Sequence, residues 1–227
     1  MAVLSFKLNE HLYLRDPQHT KLGQSIISKS VILIDQLGFE QFTFGKLAKE
    51  IDSTEASIYR YFEKKHRLLH YLISWYWSWL EYKVDLNMVN LQKPEDRLRA
   101  CLRTIAEEKK FDPSFEFVDE EALYRIVVEE LDKTYLTKWV EGDNKDGLFG
   151  SFKSLCGKIA NIVREINPAY EFPNALVSTS LLAAKQQYFF LSHLPSLSNI
   201  KQDTHKHEQI YKFLETMVFK TITDNHA

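Results

Sequence analysis

The stretch from Thr43 to Leu69, TFGKLAKEIDSTEASIYRYFEKKHRLL, constrains this chain more than any other. Thr43 is a good N-cap, its hydroxyl placed to accept a backbone N–H two or three residues on. Behind it Leu47, Ala48 and Ile51 share the inner face of a short helix. Asp52 then stands at a tight turn, and Asp tolerates the left-handed region better than most residues. Ser53 or Thr54 caps a second short helix, whose Ile58 and Phe62 are four apart and face inward. The second of two such helices can enter a major groove about 12 Å wide, its N-terminal residues facing base edges. Here those residues are Thr54, Glu55, Ala56 and Ser57, small or polar as base contact requires. Tyr59 and Tyr61 lie outside the Ile58/Phe62 face, so their hydroxyls can reach phosphate or base.

The rest of the chain is helical in pattern. Only 7 Gly and 6 Pro interrupt long segments of helical period, which points to an all-α protein of about nine helices and no strand. Leu22, Ile26, Ile27, Val31, Ile34 and Leu37 mark the first clear helix, closed by Gly38 as a left-handed C-cap. The helix from about Lys64 to Val84 carries two apolar stripes, one through Trp75 and Trp79 and the other through Trp77. A helix apolar on two sides is packed on two sides, so this one connects a small N-terminal unit to a larger C-terminal body. Pro94 opens the next helix, and the FDPSFEF stretch at 111–117 breaks the pattern. A long helix capped by Asp119 runs to Tyr135, and EGDNKDG at 141–147 reads as a loop. Three further helices occupy 149–166, 173–194 and 204–222. Residues 1–19 alternate at Leu4, Phe6 and Leu8, as a short strand or an extended arm would; a minor-groove arm is a third reading, weakened by Glu10 and Asp16 beside Lys7 and Arg15.

At Ile58-Tyr59-x-Tyr61-Phe62 and Lys65-x-x-Leu68, preceded by Gly38-Phe39, Thr43-Phe44 and Leu47-Ala48, the sequence resembles the TetR family of bacterial transcription regulators. The resemblance covers residues 20–70 closely. It implies three parts: an N-terminal extension at 1–19, a three-helix DNA-binding domain at 20–70, and a divergent effector-binding and dimerisation domain at 71–227. It implies DNA contact from Thr43, Phe44, Lys46, Thr54, Glu55, Ala56, Ser57, Tyr59, Arg60, Tyr61 and Lys65, the last at a helix start where an ammonium and backbone N–H groups hold a phosphate. Asp52 replaces the family's usual turn Gly. Glu55 puts an acid where neutral or basic residues are commoner. It either stabilises the first turn of its helix or accepts from a cytosine amino group.

Residues 20–70 hold eight Lys/Arg against six Asp/Glu, a local +2 in a chain of net −2. Weak charge of this kind makes a dimer, with two sets of phosphate contacts, the useful DNA-binding form. A two-fold dimer reads a palindromic operator. Ser180, Ala183 and Ala184 allow close helix approach, either in an intramolecular core or, as the resemblance implies, in a two-chain four-helix bundle. The expected dimer face is Leu176, Ser180, Ala184, Tyr188 and Leu191 with Ile210, Phe213, Leu214 and Met217. An apolar or aromatic effector is expected at Trp75, Trp79, Leu102, Tyr124, Val127, Phe152 and Tyr188, residues that serve equally as core packing. Cys101 and Cys156 suit a reducing compartment, here the bacterial cytoplasm. No apolar run is long enough for a membrane span. No cofactor is expected. His205 and His207 are two apart on different helix faces, so no metal site is expected either. DNKDG at 143–147 lacks the closing Glu of a calcium loop. No catalytic constellation appears, and an enzyme is not expected. The readings left open beside a ligand-responsive repressor are a DNA-binding dimer without effector and an all-helical enzyme.

Overall fold

In the computed structural model the described residues are 5–110, 112, 115 and 117–223. Leu4 and Phe111, on which the N-terminal alternation and part of the 111–117 break rest, lie outside them. Among the described residues there are eleven α-helices, three short 3-10 turns and no strand. The α-helices are α1 Lys21–Leu37, α2 Phe44–Glu50, α3 Glu55–Tyr59, α4 Lys65–Met88, α5 Pro94–Ala106, α6 Glu120–Glu130, α7 Asp132–Tyr135, α8 Val140–Lys145, α9 Gly150–Ile166, α10 Pro173–His193 and α11 Lys206–Thr223. Among the described residues no helix is long and apolar enough to cross a membrane.

Two helices more than expected are present, and both extras are short. The helix expected from Asp119 to Tyr135 breaks at Leu131. There the Thr134 hydroxyl and backbone N–H both donate to the Leu131 carbonyl, a local alternative to the helical ladder. The stretch expected as a loop at 141–147 winds into α8 and stops at Gly147, whose φ is 76°. Leu148 N–H closes on the Asp143 carbonyl across it, a helix ending that Gly supplies at least cost.

The chain divides into two compact units, Met1–Ser78 with Lys109–Ser151, and Trp79–Glu108 with Phe152–Ala227. The division falls inside α4, so the 20–70 segment shares its unit with α6, α7 and α8 as well. From Leu68 to Trp77 every residue of α4 is buried, as expected for a helix packed on more than one side.

In the first unit the chain from Ser5 to Thr20 is an extended arm folded onto the body. The Gln18 side chain brackets Phe6, accepting from its N–H at 3.1 Å and donating to its carbonyl at 2.8 Å. The Phe6 ring sits 5.2 Å from Trp75 and 5.4 Å from Phe115. Leu8 and Leu12 are buried. A side chain at Gly23 would meet the Pro17 carbonyl, so Gly lets the arm lie against α1. This packing accounts for the arm without DNA. In the second unit α5 and α11 are tied by ion pairs from Arg99 to Glu215 and from Arg103 to Glu208. The inner faces of α10 and α11 are buried there.

Candidate nucleic-acid interface

Three caps and one strained residue shape the reading face. Thr43 Oγ1 accepts from Lys46 N–H at 3.2 Å and starts α2. Thr54 Oγ1 accepts from Ser57 N–H at 3.2 Å and starts α3. Between them Asp52 has φ 48°, and Ser53 N–H closes on the Ala48 carbonyl at 2.9 Å. The acid does take the left-handed position expected of it. Gly38 ends α1 with its N–H on the Ile34 carbonyl, but at φ 74°, ψ 154° rather than in the left-handed helical well. That region is essentially closed to residues with a Cβ.

Inside the face, Leu47, Ala48, Ile58 and Phe62 are buried and Ile51 is half-buried. Outside it, Thr43, Lys46, Thr54, Glu55, Ala56, Tyr59 and Arg60 are exposed and Ser57 is half-buried. The Thr54 and Ser57 hydroxyls are 3.0 Å apart. Lys46 Nζ donates to the Gln41 carbonyl at 2.8 Å yet remains at the surface. Eight of the eleven expected DNA contacts are therefore accessible on or beside α2 and α3.

Three do not, and each needs a correction. Phe44 is only 5% exposed; its ring meets Phe42 at 6.3 Å and Tyr59 at 5.0 Å, edge to face. It props Tyr59 outward and does not itself face solvent. Tyr61 is 3% exposed, and its hydroxyl is hydrogen-bonded to Thr20 Oγ1 at 2.8 Å. The helical projection that puts it outside the Ile58/Phe62 face fails because α3 ends at Tyr59. Lys65 spends its ammonium internally. Nζ donates to the carbonyls of Phe39, Glu40 and Phe42 at 3.0, 3.2 and 3.2 Å, and lies 4.7 Å from the Phe39 ring centroid. Three donors are all an ammonium has, so none is left for phosphate. The exposed cation at the start of α4 is its neighbour, Lys64. The sequence does carry a signal for Lys64, a second charge one position before the family's lysine.

The seven residues expected to hold an effector are divided between the two units. Trp75, Tyr124 and Val127 belong to the first and Trp79, Leu102, Phe152 and Tyr188 to the second. Trp75, Trp79, Leu102 and Val127 are buried and the other three half-buried. Tyr188 hydrogen-bonds the Ala106 carbonyl at 2.6 Å and His207 Nδ1, and burial pushes its hydroxyl pKa well up. A surface cleft of about 610 Å³ in the second unit is lined by Glu108, Gln202, Asp203, Thr204, Lys206 and His207, none of them among the seven.

The expected dimer face also needs correction. Leu176, Ser180, Ala184, Leu191, Ile210 and Leu214 are already buried within the single chain, and Tyr188 is engaged as above. A partner cannot reach side chains that the chain's own core covers. Phe213, at 39% exposure, and Met217 stand nearer the outside.

Residues 26–72 match the family described as "Bacterial regulatory proteins, tetR family". Over that segment the chain is similar to the TetR family. The nucleoid occlusion factor SlmA of Haemophilus influenzae is 32% identical to it over 82 residues. That match spans 36% of this chain and 38% of the SlmA chain, so it reaches well under half of either. Solved structures agree over most of the length, at low identity. The complex of AibR with isovaleryl coenzyme A and operator DNA superposes with a TM-score of 0.58 at 17% identity, covering 86% of this chain and 97% of AibR. The fatty acid degradation regulator FadR of Bacillus halodurans gives 0.59 at 14% identity, covering 88% and 97%. At these identities the likeness is one of fold.

Proposed function

We propose that the chain is a homodimeric, operator-binding transcription regulator, acting as a repressor. The observation that carries this reading is the accessibility of Thr43 and Lys46 at the start of α2 and of Thr54 to Ser57, Tyr59 and Arg60 around α3, in a segment that matches the TetR family over residues 26–72. α3 supplies small and polar groups at its N-terminal end, the size and chemistry that base edges admit. Lys46, Arg60 and Lys64 supply cations for phosphates on either side.

Dimerisation is assigned to the outer faces of α10 and α11. On α10, Ala175, Thr179, Leu182 and Phe189 succeed one another at helical spacing on the side opposite the buried face, and none is buried. On α11, Phe213 and Met217 do the same. Apolar side chains on both faces of a helix call for cover on both, and a second copy supplies it with two-fold symmetry. A small apolar effector is proposed on weaker grounds: the aromatic wealth of the chain, and two structural neighbours named for isovaleryl coenzyme A and fatty acid degradation.

The deciding experiment is DNA binding at stated salt, on the chain's own upstream region and on a random-sequence pool. Recovery of a two-fold symmetric site is expected. Recovery of none would overturn the proposal.

A further inference from the structure

Phe39 is the residue around which the reading face is fixed. It comes directly after Gly38, buries its ring at 1% exposure, and opens the turn 39–43 that delivers the chain from α1 into α2. Both of its backbone polar groups are held by side chains from far along the sequence. Its carbonyl accepts from Lys65 Nζ, at the start of α4. Its N–H donates to Glu130 Oε1 at 3.0 Å, at the end of α6. Glu130 is itself buried. Its other oxygen lies 2.6 Å from Lys133 Nζ, which also reaches Glu40 Oε1 at 3.0 Å. The same carboxylate passes 3.9 Å from where a Cβ on Gly38 would stand, so the glycine leaves it room. One helical turn and more back along α6, Arg125 grips Asp35 of α1 through Nε and Nη2 at 2.8 and 2.9 Å.

The turn is thus clamped by an anion from α6 on one side and a cation from α4 on the other. This matters because α2 and α3 have seven and five residues. Helices that short do not hold their own place in water, and a recognition surface works only when held to about half an ångström and 10–20°. We infer that Glu130 is a positioning residue for DNA reading: from the end of α6 its carboxylate sets the 39–43 turn, and through it the angle at which α2 and α3 meet the groove. The inference rests on the proposed DNA-binding function and adds the element that steers it. It places the steering contact on α6.

The test is a specificity ratio: affinity for a site selected from a random pool by the unaltered protein, over affinity for scrambled DNA of the same length and salt. Glu130→Leu removes the acceptor for Phe39 N–H; the ratio should fall at least tenfold at a temperature where circular dichroism shows the variant folded. Glu130→Gln keeps a neutral acceptor of the same reach and should restore the ratio to within about threefold. Glu129→Leu, an exposed neighbour on the same helix, should leave it unchanged. Should the Leu variant fail to fold, Glu130→Asp, one methylene shorter, replaces it, with a fall of at least threefold expected. A residue that only stabilised the fold would lower the melting temperature and leave the ratio alone. That result, in a folded Leu or Asp variant, overturns the inference. An unaltered protein with no sequence preference would instead overturn the DNA-binding proposal, and this inference with it.

Discussion

Lys64 and Lys65 are neighbours in sequence with different employment, and substitution separates them. Lys65 satisfies three carbonyls. Charge-assisted hydrogen bonds are worth about 1.5–3 kcal/mol each when a partner is orphaned, and partial solvation brings the whole to on the order of 2 kcal/mol here. Lys65→Ala should therefore lower the melting temperature by several degrees. Lys64→Ala should leave melting unchanged, weaken binding to all sequences alike, and reduce the salt slope by about one. The reverse assignment of effects would sink this reading. Glu55 is exposed, and its carboxylate lies 2.8 Å from where a Cβ on Gly45 would be. An acid there repels phosphate, so Glu55→Gln should tighten binding to scrambled DNA severalfold in an anisotropy titration. The selected site of the variant separates the two roles of the acid: a relaxed G·C position means that it reads cytosine. At this scale the sequence is legible wherever local geometry decides. The caps at Thr43 and Thr54, and the positive φ of Asp52, are set by residue type and spacing. Tyr61 and Lys65 are not legible because their partners, Thr20 and the 39–42 carbonyls, are distant in sequence, and no helical projection extends past the end of a five-residue helix.

Helices are legible as elements, but which face meets what is only half so. α10 is apolar on nearly all sides, so periodicity cannot say which side is the chain's own core. The small residues Ser180 and Ala184 look in sequence like a place for another chain to approach. They serve instead for close packing inside the second unit, where Ser180 Oγ donates to the Leu176 carbonyl at 2.7 Å. The face left over carries Leu182 and Phe189, with Phe213 of α11. Phe189→Glu and Phe213→Glu together should turn the proposed dimer into a folded monomer by light scattering, with helical content kept. Leu214→Glu, by contrast, puts a charge in a fully buried position and should unfold the second unit. A double variant that remains dimeric would move the interface elsewhere. The break between α6 and α7 is likewise illegible, since it rests on one threonine hydroxyl against a pattern that otherwise continues.

Over the whole molecule, two buried groups in the first unit give stability an unusual dependence on pH. His70 is buried beside Phe149, with Nε2 3.6 Å from Asp143. Burial pulls its pKa down from 6.5 to about 4, against the opposing pull of Asp143. The unfolded chain therefore binds the proton more readily, and stability is lost as pH falls from 6.5 towards 4. Glu120 is fully buried, with Oε2 accepting from Asp112 N–H and Oε1 unpartnered. Burial pushes its pKa up from 4.5 to about 7. Here the folded chain binds the proton more readily, so stability is lost as pH rises from 4.5 towards 7. Each gap is worth up to about 3 kcal/mol at about 1.36 kcal/mol per pH unit. Across the shared window of 4.5–6.5 the two slopes have opposite signs and largely cancel. Single substitution should uncover each slope. In urea unfolding of the intact chain, Glu120→Gln should lose about 2–3 kcal/mol relative to the unaltered protein as pH falls from about 6.5 to about 4.5. His70→Gln should gain a similar amount over the same interval. The comparison uses slopes, so a uniform loss of stability in either variant does not disturb it. Three parallel curves would mean that neither group is held in the protonation state its burial imposes.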